Sequence, residues 1–187
     1  DEVIQYSGIR MGDSVLSVDA ERVKAGINTN RYLEFVGVWR NFFPSSVIIT
    51  VIEHTPRAKM NWMGMLLLIG DNGVVLEPTP EIDIPVHVPE VVGMLVDKVA
   101  VGQEIEYGVA GQGDAIVGIL DALDLQGVTG EIAEINITSP DNLMLVTEGG
   151  LQVVLGDDNL LAEKIALLRE VLPRIQSLGD VSGGILN

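Results

Sequence analysis

The sequence predicts an α+β fold, in which a small unit of two helices on a short sheet precedes a mixed β-domain with a long C-terminal helix. Three observations carry that expectation. Residues 1–56 read helix, helix, strand, strand in that order. Residues 131–155 hold three short apolar stretches separated by turn sequences. Beyond them Leu161, Ile165, Leu168, Leu172 and Ile175 recur at helical spacing.

The elements follow in chain order. Asp1 to Gly8 reads as a short helix closed by glycine, which supplies the positive φ that a helix end prefers. Asp19 can cap a second helix, whose Val23 and Ile27 share one face. Leu33 to Arg40 and Val47 to Glu53 are rich in β-branched and aromatic residues and read as strands. Residues 41–46 form the turn between them, because Pro44 has no N–H to give a ladder. Thr55-Pro56 breaks this unit and sets the expected domains at 1–56 and 57–187.

In the second domain Met60 to Ile69 reads as one buried strand, with Met60, Met63, Met65 and Trp62 as core filler. Asp71-Asn72-Gly73 reads as a type I′ hairpin turn. Glu77 to Pro89, with its four prolines, reads as an extended surface connection. Val91 to Val101 is ambiguous, and Gly113 to Leu125 reads as a helix. Glu131–Thr138, Leu143–Thr147 and Leu151–Leu155 should form an antiparallel meander. The long helix then runs over 160–177, with Glu163, Glu170 and Arg174 off its apolar stripe and Asp157-Asp158-Asn159 as its cap. Gly179 ends it, and Ile185-Leu186 can begin a further strand.

Composition narrows function by exclusion. A formal net charge of -16 repels nucleic acid and anionic headgroups. With no cysteine there is no disulfide, thiolate zinc site or thiol nucleophile. The longest apolar run, Met63 to Ile69, is far short of the roughly 20 residues of a spanning helix. His54 and His87 read as surface or edge histidines with no chemical role. Gly111-Gln112-Gly113 lacks the rest of a phosphate loop. Asp157-Asp158-Asn159 lacks the spacing of a calcium loop, and Glu131 and Glu134 fall on opposite strand faces. No catalytic, metal or cofactor set emerges, so the residues point to a binding protein and not to an enzyme.

The first strand pair carries the most specific pattern. It reads Val36-x-Val38-x-Arg40, then Phe43-Pro44, then Val47-x-Ile49-x-Val51-x-Glu53-x-x-Pro56-x-Ala58. This resembles the end of the polypeptide-transport-associated (POTRA) domain of the FtsQ/DivIB cell-division family, with Arg40, Pro44, Glu53, Pro56 and Ala58 at the motif positions. Gly8-x-x-x-Gly12 resembles that domain's link between helices. Ile69 to Val75, Glu134-Ile135, the turn at Gly149-Gly150, Val154-Leu155-Gly156 and the long helix resemble the family's C-terminal β-domain. Two departures stand out: the domain's opening strand is absent, as truncation at Asp1 would leave it, and His54 replaces an Arg common after the motif Glu.

The resemblance implies a three-stranded POTRA sheet with two helices and no cofactor. It also implies the extracytoplasmic part of a single-pass membrane protein at the division septum. The implied partners are FtsL and FtsB/DivIC, contacted by the last helix and final strands, where Glu163, Glu170, Arg174, Ile185, Leu186 and Asn187 match best. The alternatives are a POTRA-type interaction module of another envelope assembly or secretion system, which the C-terminal meander and helix argue against, and a hydrolase using Asp and Glu.

Overall fold

The computed structural model of the 187-residue chain describes residues 2–79, 87–177, 179 and 182–187. They form two compact units, Asp1–Thr55 and Pro56–Asn187.

In the first unit, helices α1 (Glu2–Ser7) and α2 (Ala20–Ile27) pack on an antiparallel hairpin of β1 (Leu33–Phe42) and β2 (Ser45–Glu53). Asp19 is the α2 N-cap, its Oδ1 accepting from the Glu21 N–H at 3.0 Å. Val23 and Ile27 then face a small core with Val18 and Leu33. The ladder runs further than the sequence predicts, to Phe42 opposite Ser45. The turn is therefore Phe43-Pro44 alone, joined by a cis peptide bond. Two strands make this sheet among the described residues, one short of the three that the resemblance implies for the whole domain. His54 is a correction: it is buried, with Nε2 3.2 Å from Glu34 Oε2 and its N–H donated to the Tyr32 carbonyl.

The second unit is built on one mixed sheet. Its strands are β3 (Ala58–Trp62), β4 (Met65–Ile69), β5 (Val75–Thr79), β6 (Glu90–Val92), β9 (Ile132–Asn136), β10 (Leu143–Thr147), β11 (Gln152–Gly156) and β12 (Ile185–Leu186). Across the sheet they lie in the order β12-β11-β10-β9-β6-β3-β4-β5. The contacts of β6 with β3 and β9, and of β11 with β12, are parallel; the rest are antiparallel. A small hairpin of β7 (Val96–Lys98) and β8 (Glu106–Tyr107) stands apart from it. Helices α3 (Gln112–Gln126) and α4 (Leu161–Gln176) close the core. From α3 come Ile116, Ile119, Leu120 and Leu123, and from α4 the predicted stripe, with only Ile175 left half-buried.

Five expectations for this unit need correcting. Residues 60–69 are a hairpin and not one strand, because Met63 (φ +50°) and Gly64 (φ +80°) turn the chain so that Met65 pairs Trp62. Met63 and Met65 are exposed in consequence, so only Met60 and Trp62 pack inward. Asp71–Gly73 is a 3-10 turn with Gly73 at φ +73°. Residues 77–79 belong to β5, where Pro78 is tolerated because the strand is an edge; residues 80–86 of the expected connection lie outside those described. Finally, Asp157 does not cap α4. Its N-cap is Leu160 at φ +56° with no side-chain bond, and the Asp157 carboxylate accepts from Lys164 Nζ at 2.8 Å and Asn159 Nδ2 at 2.7 Å. Those bonds hold it below its usual value.

Tyr107 gives a testable consequence of packing. Its ring lies against Gly113, where a Cβ would come within 2.9 Å of Cε2, and its hydroxyl is buried with no hydrogen-bond partner among the described residues. Burial, helped by the charge of Glu104, pushes the phenol up to about 12. A folded value above the unfolded one of about 10 means stability that is complete below pH 10 and is lost as pH climbs towards 12. Tyr107→Phe removes an unbonded hydroxyl, so denaturant midpoints at pH 8 should be unchanged or higher by up to about 1 kcal/mol. The alkaline decline should also flatten. A variant clearly weaker at pH 8 would contradict this.

Candidate partner-binding edge

The large sheet has two ends, and they differ. At β5 the Val75 N–H donates to the Gln103 carbonyl at 2.9 Å, and the Gly102 N–H donates to the Val75 carbonyl at 2.7 Å. Pro78 contributes no N–H further along, so this edge is largely closed. At the other end β12 pairs with β11 in the register Gln152–Ile185 and Val153–Leu186. Gln152 N–H donates to the Gly184 carbonyl at 2.9 Å. In a parallel ladder this turns the N–H and C=O of Ile185 away from β11. Ile185 is 65% exposed, and no strand lies beyond it among the described residues.

The edge borders an apolar groove. Because β12 covers only the start of β11, a cavity of about 270 Å³ opens between β11 and α4, lined by Val154, Leu167, Val171 and Leu186 with Lys164 and Asn187. Lys164, Leu167, Leu168 and Val171 fall at i, i+3, i+4 and i+7 on one α4 face. Lys164 is held by Asp157, which fixes the polar rim of the groove.

The structure thus brings some predicted residues together. Ile185, Leu186 and Asn187 stand at the edge itself. Glu163, Glu170 and Arg174 are exposed on α4 along the stripe that contains Leu167, so they flank the groove. Glu170 and Arg174 form an exposed i, i+4 pair at 3.5 Å, which contributes little by itself. The sequence reading missed Val154, Leu167 and Val171. Leu167 does carry a signal, being a leucine outside the buried stripe and 61% exposed.

The motif residues have structural roles. Arg40 Nη2 donates to the Val18 carbonyl at 2.7 Å, tying β1 to the turn before α2. Pro44 makes the hairpin turn, Glu53 ends β2, Pro56 opens the second unit, and Ala58 is fully buried opposite Ile69. The histidines are not grouped: His87 is exposed, with Nε2 2.6 Å from Glu148 Oε1.

The densest charged constellation surrounds Arg57. Its guanidinium lies 2.8 Å from Asp121, 2.7 Å from Asp124 and 3.7 Å from Asp71. Desolvation pulls its pKa down, but hydrogen bonds and charge from Asp121 and Asp124 outweigh that and hold it above its ordinary value. Carboxylates engaged this way tie the start of β3 to α3 and are not a free acid–base pair. No cluster of His, Cys, Asp and Glu among the described residues could hold a metal ion.

Both units match known family models. Residues 61–184 match the family model "Cell division protein FtsQ/DivIB, C-terminal", and residues 1–54 match "POTRA domain, FtsQ-type". Cell division protein FtsQ of Geobacter sp. (strain M21) is 32% identical over 185 residues, covering 95% of this chain and 65% of the relative. Cell division protein FtsQ of Syntrophotalea carbinolica (strain DSM 2380 / NBRC 103641 / GraBd1) is 27% identical over 182 residues, covering 95% and 61%. The chain therefore spans somewhat less than two thirds of either relative. Among solved structures, the major extracytoplasmic domain of the trans isomer of the bacterial cell division protein DivIB from Geobacillus stearothermophilus is 18% identical. It covers 67% of this chain and 96% of that one, with a TM-score of 0.41.

Fold and surface define an α+β protein made of a POTRA unit and a β-domain. The chain belongs to the FtsQ/DivIB family of cell division proteins.

Proposed function

We propose that the chain is the extracytoplasmic part of a single-pass membrane protein that works without catalysis, as a scaffold at the division septum. Its partners are FtsL and FtsB/DivIC. The single observation that best supports the reading is the open β12 edge beside the apolar groove. Outward N–H and C=O groups in strand geometry offer hydrogen bonds to an added strand, while the groove accepts alternate side chains. The net charge of -16 favours encounter with a segment carrying basic residues. Membership of a cell division family supports the setting, and the relatives' names agree with it. In the full-length protein one hydrophobic span of about 20 residues would precede the POTRA unit, behind a basic cytoplasmic tail.

Ile185→Pro tests the edge. It deletes the outward N–H while sparing the bond between Gln152 and Gly184. Binding of a purified FtsB or DivIC homologue, measured by calorimetry, should weaken about tenfold or more, since tenfold corresponds to about 1.4 kcal/mol. Lys98→Ala, on the separate β7–β8 hairpin, should bind as the parent does. Equal affinity for Ile185→Pro and the parent would sink the reading.

A further inference from the structure

The outer face and tip of the β1–β2 hairpin are apolar in a way the β12 edge does not account for. Phe35, Val38, Val47, Ile49 and Val51 pack inward on the small core. On the opposite face Trp39 pairs Ile48, and its indole lies over Gly37, where a Cβ would come within 2.7 Å of Cη2. Trp39 is 53% exposed; Phe42, on the Val38 face but at the tip beyond the small core, is 64% exposed, and Phe43 at the turn is fully exposed. All three phenylalanines of the chain and one of its two tryptophans fall in residues 35–43.

Charge sets this surface apart from the rest. The chain has 27 carboxylates, yet none between Glu34 and Glu53; Arg40 is the only charged residue in that interval. Near the tip Asn41 Nδ2 donates to Ser46 Oγ at 3.3 Å. Backbone groups that face across the hairpin are paired up to Phe42 and Ser45. Moving the tip out of water therefore strips no carboxylate of residues 35–52.

We infer that this hairpin tip anchors the protein on a lipid surface, with Trp39, Phe42 and Phe43 entering the boundary between headgroups and acyl chains. Aromatic side chains favour that boundary, where an apolar ring and a wet edge are both accommodated. The acid-free interval selects a lipid surface over a basic protein segment, which would need carboxylates to bind. A second copy of the chain is disfavoured by the mutual repulsion of two molecules at -16. The same charge sets the lipid dependence: zwitterionic bilayers should bind better than anionic ones at low salt, and the difference should shrink as salt screens it.

The test uses the whole chain carrying Trp62→Phe, so that Trp39 is the sole indole. With phosphatidylcholine–phosphatidylethanolamine vesicles, its emission should shift to the blue and be quenched by brominated acyl chains. Phe42→Ser with Phe43→Ser should lower partitioning about tenfold or more. Both side chains lie outside the core, so an unchanged Tm should accompany the loss. Flotation of the unsubstituted protein with the same vesicles gives the parallel readout. Absence of shift and flotation at millimolar lipid would overturn the inference. Partitioning that the double substitution leaves intact would do the same. Blue-shifted emission without lipid, together with dimer in sedimentation, would assign the face to a second copy instead. Loss of protein-partner capture by the double variant, with no vesicle binding by the parent, would make it a protein-docking surface.

Discussion

Gln112→Ala is expected to destabilise the second unit by about 3–5 kcal/mol, a large share of a domain's stability. Gln112 opens α3 and is fully buried. Its Nε2 donates to the Gly93 carbonyl at 3.2 Å and the Ile137 carbonyl at 2.8 Å, and its Oε1 accepts from the Leu95 N–H at 3.1 Å. One amide thus serves the chain leaving β6, at Gly93 and Leu95, and the Ile137 carbonyl of the chain leaving β9. Truncation leaves a cavity and three polar groups without that partner. Gln112→Leu fills the space but not the bonds, so it should recover only part of the loss. Gln112→Glu keeps the acceptor and points a carboxylate oxygen at two carbonyls. It should be less destabilised at pH 5 than at pH 7, because the protonated acid can donate again. Denaturant midpoints read from Trp62 in a Trp39→Phe background would check the series; a Gln112→Ala variant within 1 kcal/mol of the parent would contradict the assignment.

Gly26→Ala sets helix propensity against packing. Gly26 lies inside α2, where alanine is favoured by about 1 kcal/mol. A Cβ there would sit 2.1 Å from the Tyr6 carbonyl oxygen and 3.3 Å from its carbon. Both are backbone atoms of α1, so no rotamer change relieves the overlap. The helices must separate, which loosens Tyr6 and Val3 from the core they cover. Packing should win, with a net loss of about 2 kcal/mol or more in the first unit. Trp39 emission in a Trp62→Phe background gives the unfolding curve; a stabilised variant would show that α1 does not pack this closely.

Local signals in the sequence reached most of the fold. The Asp19 cap, the Val23–Ile27 face, the α4 stripe and the β9–β10–β11 meander each depend on neighbours a few residues apart, and each is found. The errors lie where long-range contacts decide. Met63-Gly64 lacks an Asn-Gly signature, yet pairing of β3 with β4 turns the chain there. Asp157 has the chemistry of a cap, but Lys164 on the helix takes its carboxylate and Leu160 occupies the cap position. His54 is buried by its setting in the first unit, which a strand-end position does not announce.

The candidate edge was legible in part. Ile185-Leu186 read as the beginning of a further strand, and their pairing with Gln152 and Val153 makes them one. The groove was not legible, because Val154 of β11 and Leu167 of α4 line one cavity only once the helix packs beside the sheet. Gln112 was lost for a similar reason: its three bonds reach 17 to 25 residues along the chain.

Hydrogen–deuterium exchange of the chain with and without a purified FtsB or DivIC homologue tests the central claim most directly. Strand addition should protect the outward amide of Ile185, so peptides covering residues 182–187 should slow about tenfold or more under saturating partner, with slower exchange also along β11. Peptides covering β5 should not change. Saturating binding with no protection at residues 182–187 would contradict the account, because the partner would then be held on a different surface.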